Sequence, residues 1–466
     1  MRMPPFITTI AAALAIAGCG KNGGAGDKPR QWEAPGQVLT YEWPRSVRPS
    51  SIYDVTAGGR TQRVFTTEEP HICAFGCTDT VEVNVSFLKA KVSEVAVRPL
   101  DKRFTHSLKE NGDLVIRMAP GQKCIVEFNG SIENPLFIFA DPVEEKPAKE
   151  DCACYFEAGK EYNQNLILSK GTVYVEGGAW LNGDIHVLNA SEVRICGHGV
   201  VNGTGGNKPV FINESDNVAV DGIILVNHDF WSTLAAQSTN VEFNNYKVVA
   251  PASSNDQGHE NDALDILGCS HVRINGCFTY CHDDALCIKS QKWLYSGKVE
   301  DVRAENCTIW NFRNGTTLEI GVELNQDCSD VHFKDIWCVH SGGGMNRGLY
   351  RAGIGIKQTA GGRISDFSFE NIHVEDAREF GIYLGIYKGS ASIGNDVEWT
   401  PGMIDGVSFK DIHIDGDAPY GNVAAGYDAD HAIRNVTFDG LYRNGTKVTR
   451  AEDFFTTIAN AEITIR

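Results

Sequence analysis

The sequence predicts an all-β chain, a right-handed parallel β-helix preceded by a β-sandwich, and three observations lead to that expectation. One short pattern recurs nine times from residue 192 onward, at intervals of about 23 to 40 residues, and self-similarity at such a period marks a solenoid. Before it, residues 35–140 hold short apolar–polar alternations separated by turn residues, the spacing of a sandwich. Glycine is abundant, at 48 residues, while long apolar runs of helical period are few, as in a turn-rich β protein.

Taken in chain order, Arg2 precedes an apolar run from Phe6 to Ala17 that closes in "IAGC". A short apolar stretch ending in small residues reads as a secretory signal. The cysteine directly after them has the form of a bacterial lipobox. Residues 1–19 are therefore expected to be a lipoprotein signal peptide, with Cys19 as the lipidated terminus of a bacterial cell-envelope protein, on the periplasmic side of the outer membrane or on the cell surface. Residues 20–34, opening with "GKNGGAGDKPRQ", read as a flexible tether. No later run of 18 apolar residues follows, so the lipid anchor is the one membrane contact expected.

In the sandwich block, "TVEVNVSF" alternates Val81, Val83, Val85 and Phe87, and "SEVAVRPL", "DLVIRMAP", "KCIVEFNG" and "PLFIFADP" follow as short strands. The charged stretch "DPVEEKPAKED", residues 141–151, carries two prolines and reads as a linker. The β-helix is expected over residues 152–466. Its repeat is seen in "NVAVDGII" at 217, "NVEFNNYK" at 240, "HVRINGCF" at 271, "DVHFKDIW" at 330 and "NVTFDGLY" at 435. Apolar residues at period two assign each unit to strand. The Asn, Asp or Gly that ends each strand suits a turn residue tolerant of left-handed backbone. One coil takes roughly 22 residues, with loops inserted where the interval is longer. A propeller would repeat more evenly, at 40 or more residues.

The formal net charge of −18 disfavours nucleic acid and anionic membrane as partners. Of the 14 cysteines, neither "CAFGC" nor "CAC" has a second pair at zinc-like spacing. Cys196, Cys269, Cys277, Cys287 and Cys307 lie in apolar strand patterns and are expected to be buried thiols. An exported chain permits disulfides, but the sequence does not pair them. No metal and no cofactor is expected.

Asp262 stands 21 residues before Asp283, which is followed at once by Asp284. In a solenoid one turn of chain returns to the same face, and neighbouring coils lie about 4.8 Å apart. The three carboxylates therefore converge. Like charges so close repel, and at least one acid should keep its proton near neutrality. A protonated acid beside ionised ones is what glycoside hydrolysis uses, with acid and base about 6.5–9.5 Å apart when the anomeric centre inverts. Asp265, in "ALDIL", is a further candidate, either a site residue or an inward polar group satisfied by the ladder.

At these residues the sequence resembles the glycoside hydrolase clan that joins polygalacturonases (family 28) and dextranases (family 49). "NDALDI" is similar to the clan's Asn-Thr-Asp motif, and "HDDALCIKS" to its Asp-Asp motif, at matching separation. The resemblance covers roughly residues 152–466. It implies Asp283 as the general acid, with Asp262 and Asp284 holding the nucleophilic water. "NHDFW" resembles a segment one coil upstream that ends in a substrate-facing tryptophan, here Trp231. Two departures stand out. Thr316 occupies the place of the histidine in the polygalacturonase Gly-His-Gly motif, and Gly355 that of the arginine in Arg-Ile-Lys, so only Lys357 is retained. Loss of a bidentate grip on a carboxylate implies a substrate other than galacturonan. The added sandwich resembles the dextranase arrangement and implies a neutral glycan.

Around the acids, His259 and His282 are candidates to tune a carboxylate or bind a sugar hydroxyl, and Lys289 to face the cleft. Among Trp231, Trp293 and Tyr295, Trp231 is favoured as a stacking platform for a sugar ring. Glu319 and Glu323 lie one coil beyond and either shape a subsite or, as surface glutamates, do nothing. The function expected is inverting hydrolysis of an extracytoplasmic poly- or oligosaccharide. A β-helix polysaccharide lyase and a non-catalytic glycan-binding lipoprotein are the alternatives. A lyase uses a basic residue and often calcium, and no arginine–lysine pair stands beside the acids. A binding groove has no need of three mutually repelling carboxylates.

Overall fold

Alternating apolar residues close the chain into three parallel ladders. The structure, a computed structural model, describes residues 37–67, 69–100, 104–203, 208–227, 230–250, 261–311, 314–342, 351–389 and 398–466. Cys19, His259, and residues 20–34 of the expected tether lie outside the described residues. The first ladder holds the repeated motif, in strands such as Asp216–Asp221, Thr239–Asn244, Ser270–Asn275 and Val299–Glu305. The second includes Ile224–Val226, Lys247–Val249, Phe278–Cys281 and Thr308–Asn311. The third is an 11-stranded parallel sheet that includes Thr233–Ala236, Leu264–Leu267, Leu286–Ser290, Leu318–Leu324, Ala352–Gln358 and Phe380–Ile386. Downstream, first- and second-ladder strands fuse into long bent strands such as Arg363–Val374.

Backbone geometry explains the motif. The residue that ends each repeat has positive φ, as at Gly222 (83°), Asn245 (49°), Gly276 (63°) and Asp335 (53°). So does the polar residue that opens it, a feature the sequence pattern did not foretell: Asn217 (56°), Asn240 (52°), His271 (55°), Asp301 (55°) and Asp330 (56°). Both bends bracket a strand whose Val, Ile or Phe side chains fill the interior. Asn and Asp visit this region at less cost than other L-residues, which is why they recur there. Inside, Phe333, Phe369, Phe409 and Phe438 stack coil on coil at centroid separations of 5.0, 4.9 and 4.4 Å.

Upstream, Val38–Thr40 through Leu136–Pro142 form a six-stranded and a five-stranded sheet packed face to face around Val55, Phe75, Val83, Ile116 and Ile138. The last strand runs two residues into the stretch read as linker. Asp141 is buried there because Lys247 of the second ladder donates to it. The outer face of the six-stranded sheet covers the second ladder through Trp43, Phe65, Phe137 and Phe139 against Trp180, Phe278, Tyr280 and Trp310. That packing leaves the third ladder, and the corner between second and third, as the face on which side chains gather. The 13 cysteines from Cys73 to Cys338 are free thiols, all buried except the half-buried Cys152 and Cys154.

Candidate active site

The corner between the second and third ladders is where the chain leaves Phe278–Cys281 and enters Leu286–Ser290. His282, Asp283 and Asp284 make that turn, and Asp262 makes the equivalent turn one coil earlier. Their stacking is direct: the Ala263 N–H donates to the Asp284 carbonyl at 2.9 Å, and Ala285 donates to Thr316 at 3.1 Å. One carboxylate oxygen from each of Asp262, Asp283 and Asp284 lies within 4.8 Å of the other two.

Each acid has a fixed partner. The Lys289 ammonium donates to Asp262 Oδ2 at 2.7 Å, Asn314 Nδ2 to Asp283 Oδ2 at 2.6 Å, and the Thr316 N–H to Asp284 Oδ1 at 2.5 Å. Gly315 lets the next coil lie on the doublet. A Cβ there would meet the Asp284 amide at 2.3 Å and Asp283 Oδ1 at 2.6 Å, and φ is 69°. Burial pushes Asp262 well above the usual carboxylate range; Lys289 opposes this, while Asp265, Asp283 and Asp284 add to it.

Three acids stacked at one corner of a parallel β-helix are the geometry against which the comparisons read. The profile of glycosyl hydrolases family 28 matches residues 158–416, more than half of the chain. The chain belongs to glycosyl hydrolases family 28. Among curated relatives it is similar to endopolygalacturonase I of Aspergillus aculeatus, with 25% identity over 48% of this chain and 66% of the relative. It is also similar to endopolygalacturonase A of Aspergillus flavus, with 24% identity over 46% and 64%. The matches thus span just under two thirds of those relatives' own lengths. In fold it is similar to Dex49A from Penicillium minioluteum, with a TM-score of 0.59 and 14% identity over 93% of this chain and 100% of that one.

The other predicted residues of this family 28 chain take definite places. Leu264 and Ile266 enter the core, so Asp265 points outward and is not an inward ladder group. Lys289, 3% exposed, lies 2.8 Å from Asp265 and 4.0 Å from Glu323. Burial pulls its ammonium down, but Asp262, Asp265 and Glu323 outweigh this and hold it well above the ordinary lysine range. Burial likewise raises Asp265, against Lys289. Trp231 roofs this cluster: Lys289 Nζ lies 4.4 Å from its ring centroid, and Phe230 stacks on it at 5.6 Å. The His282 Nε2 lies 3.8 Å from Glu69 of the sandwich, which also accepts from the Tyr280 hydroxyl at 3.2 Å. Lys357 is buried and donates to Glu319 Oε2 at 2.8 Å and Thr316 Oγ1 at 2.7 Å.

Two residues escaped the sequence reading. Asn314 orients Asp283, and its signal was the "NGT" turn at the matching corner. Glu319, read as a surface glutamate, is 0% exposed. It stands on the outward column of the third ladder, in register with Asp265 and Cys287 before it and Gly355 after it. Burial pushes it up to about 7, with Lys357 opposing and Asp284 adding to the rise. Ligand atoms of Asp262, Asp265 and Cys287 also lie within 4.8 Å of one another, but the Lys289 ammonium already stands against both of those aspartates.

Proposed function

We propose that this chain is an inverting glycoside hydrolase acting on an extracytoplasmic poly- or oligosaccharide other than galacturonan. The observation that carries this reading is the convergence of Asp262, Asp283 and Asp284 within 4.8 Å at one corner. Asp283, aimed by Asn314, protonates the oxygen of the departing sugar. Asp262 and Asp284 hold the attacking water and take its proton as the new bond to the anomeric carbon forms. Both are pinned, one by the Lys289 ammonium and one by the Thr316 amide. A carboxylate tethered in this way suits orienting a water better than swinging onto a sugar carbon.

The competing reading is retention, in which one carboxylate becomes the nucleophile and the two carboxyl groups stand about 5–5.5 Å apart. Proton NMR of the first-formed anomer separates the two: the opposite anomer supports water attack, and the same anomer overturns it. The residue assignment is tested with Asp283→Asn on a glycan panel. The expected result is loss of nearly all turnover, by about 10²–10⁴-fold, with substrate binding and fold retained. Near-wild-type turnover would remove Asp283 as the acid. Release of reducing sugar without unsaturated ends, unchanged by chelator, argues against a lyase. The N-terminal cysteine is proposed as the lipid attachment site of an envelope protein, so Cys19→Ser should move the protein from the detergent phase to the aqueous phase.

A further inference from the structure

On the outward face of the third ladder and at its corner, Asp262, Asp265 and Glu323 stand around the buried Lys289, and Glu319 stands against the buried Lys357. Lys208 stands across Trp231, 5.7 Å from its ring centroid. Neither buried lysine is at liberty to meet an anion. Lys289 is committed to Asp262 and Asp265. Lys357, 3% exposed, is committed to Glu319 and Thr316. Thr316 in turn holds Asp284 through its amide, so the pair Glu319–Lys357 is one link away from the acids.

Space enforces this pairing. Gly355 follows Glu319 in register on the next strand. A Cβ at Gly355 would meet Glu319 Oε2 at 2.9 Å, Thr316 Cγ2 at 2.9 Å and Lys357 Cε at 3.3 Å. The glutamate therefore fills the volume into which any side chain at position 355 would project. A carboxylate-gripping site needs a cation with unspent hydrogen bonds and room for a second donor. Here the glutamate removes the first and occupies the second. A cleft with surplus carboxylates and low-dielectric walls also repels an anionic chain before contact.

We propose that Glu319 is a specificity-determining residue: by neutralising Lys357 and filling the space above Gly355, it restricts the cleft to uncharged sugar rings and excludes uronates. The inference rests on the reading of this corner as a glycan-cleaving site, and its test reads binding alone, so the two fail differently. The probes are trigalacturonate, its methyl ester, which has the same rings without the charge, and isomaltotriose. Binding is measured by calorimetry at about pH 8, where the Glu319 carboxyl is ionised, in the Asp283→Asn chain with and without Glu319→Gln.

With Glu319 in place, the ester or the neutral glucan binds at least about tenfold more tightly than trigalacturonate. Glu319→Gln, of equal size, leaves the Lys357 charge uncompensated and shifts the acid-to-ester affinity ratio toward the acid by about tenfold, the effect of one unit charge at partial screening. Gly355→Ala, which pushes the Glu319 carboxylate off Lys357, shifts the ratio in the same direction and stands in if the first variant does not fold. Equal or tighter binding of trigalacturonate with Glu319 present overturns the inference. So does an unchanged ratio in both variants, while leaving the hydrolase reading intact. Binding of none of the three sugars overturns the glycan reading and the inference with it.

Discussion

Replacing Lys289 with methionine isolates the cation that holds the acid cluster together. Its ammonium stands 2.7 Å from Asp262, 2.8 Å from Asp265 and 4.0 Å from Glu323, almost wholly out of water. Methionine keeps most of the volume and the contact with Trp231, so the change is one of charge. Removing one partner of a buried ion pair costs about 3–5 kcal/mol. Loss of the cation over the Trp231 face adds about 0.5–2 kcal/mol. Part of this is recovered when Asp262 and Asp265 take up protons, and the sign of the pH dependence follows from that uptake. Both carboxyls already titrate above their ordinary range in the folded chain, and without Lys289 they rise further. In the unfolded chain they ionise freely above about pH 4. From there toward neutrality the folded state binds more protons than the unfolded one, so stability falls as pH rises. The gap between wild type and Lys289→Met in urea unfolding should therefore be small near pH 4.5 and reach several kcal/mol at pH 8. With Asp262 protonated, water loses one of its bases, and kcat at pH 7 should fall about 10²–10⁴-fold, with the acid limb of the pH–rate profile moved upward. A stability gap that is flat or shrinking toward pH 8, or a kcat within threefold of wild type, would refute this account of the cluster.

Other outcomes follow from the same coordinates. Glu319, raised to about 7 from an ordinary 4.5, holds its proton longer folded than unfolded. The stability of wild type relative to Glu319→Gln should decline by about 3 kcal/mol from pH 4.5 to 7, by proton linkage, and a rise over that interval in denaturant titrations would contradict the burial argument. Gly315→Ala drives a methyl into the backbone of Asp283 and Asp284, so kcat should drop by at least about tenfold while far-ultraviolet dichroism stays unchanged; full activity would mean the doublet's position is not critical. Lys247→Met strips Asp141 of its buried ammonium at the sandwich–ladder interface, and thermal unfolding should show a loss of about 3–5 kcal/mol with little change in KM. Phe369→Ala opens a gap in the middle of the interior phenylalanine stack and should cost about 3–5 kcal/mol, read as a lower urea midpoint.

What was legible in the sequence is what a solenoid makes local. Each coil touches mainly the coil before and after it, so apolar alternation, the left-handed Asn, Asp or Gly that ends each repeat, and the return of Asp262 onto the 283–284 doublet follow from spacing along the chain. Apolar strand patterns likewise marked Cys196, Cys269, Cys277, Cys287 and Cys307 as buried. The pairings made across the outer face were not legible. Lys289 reaches back 27 residues to Asp262, and Lys357 reaches back 38 to Glu319. Those intervals depend on how much loop is inserted between coils and on which member of each strand points outward. Asp265 and Glu319 stand in one outward column, yet each takes a different lysine because each meets the one presented by the coil stacked on its own. His282 illustrates the limit further: its motif placed it beside the acids, but gave no sign that the sandwich would bring Glu69 to 3.8 Å from its Nε2. The sequence alone determined the winding and the stack of acids, because both repeat at the pitch of the ladder. Only the tertiary structure decided which charges cancel, because that depends on docking between sheets and on side chains meeting across coils, where no periodic signal exists.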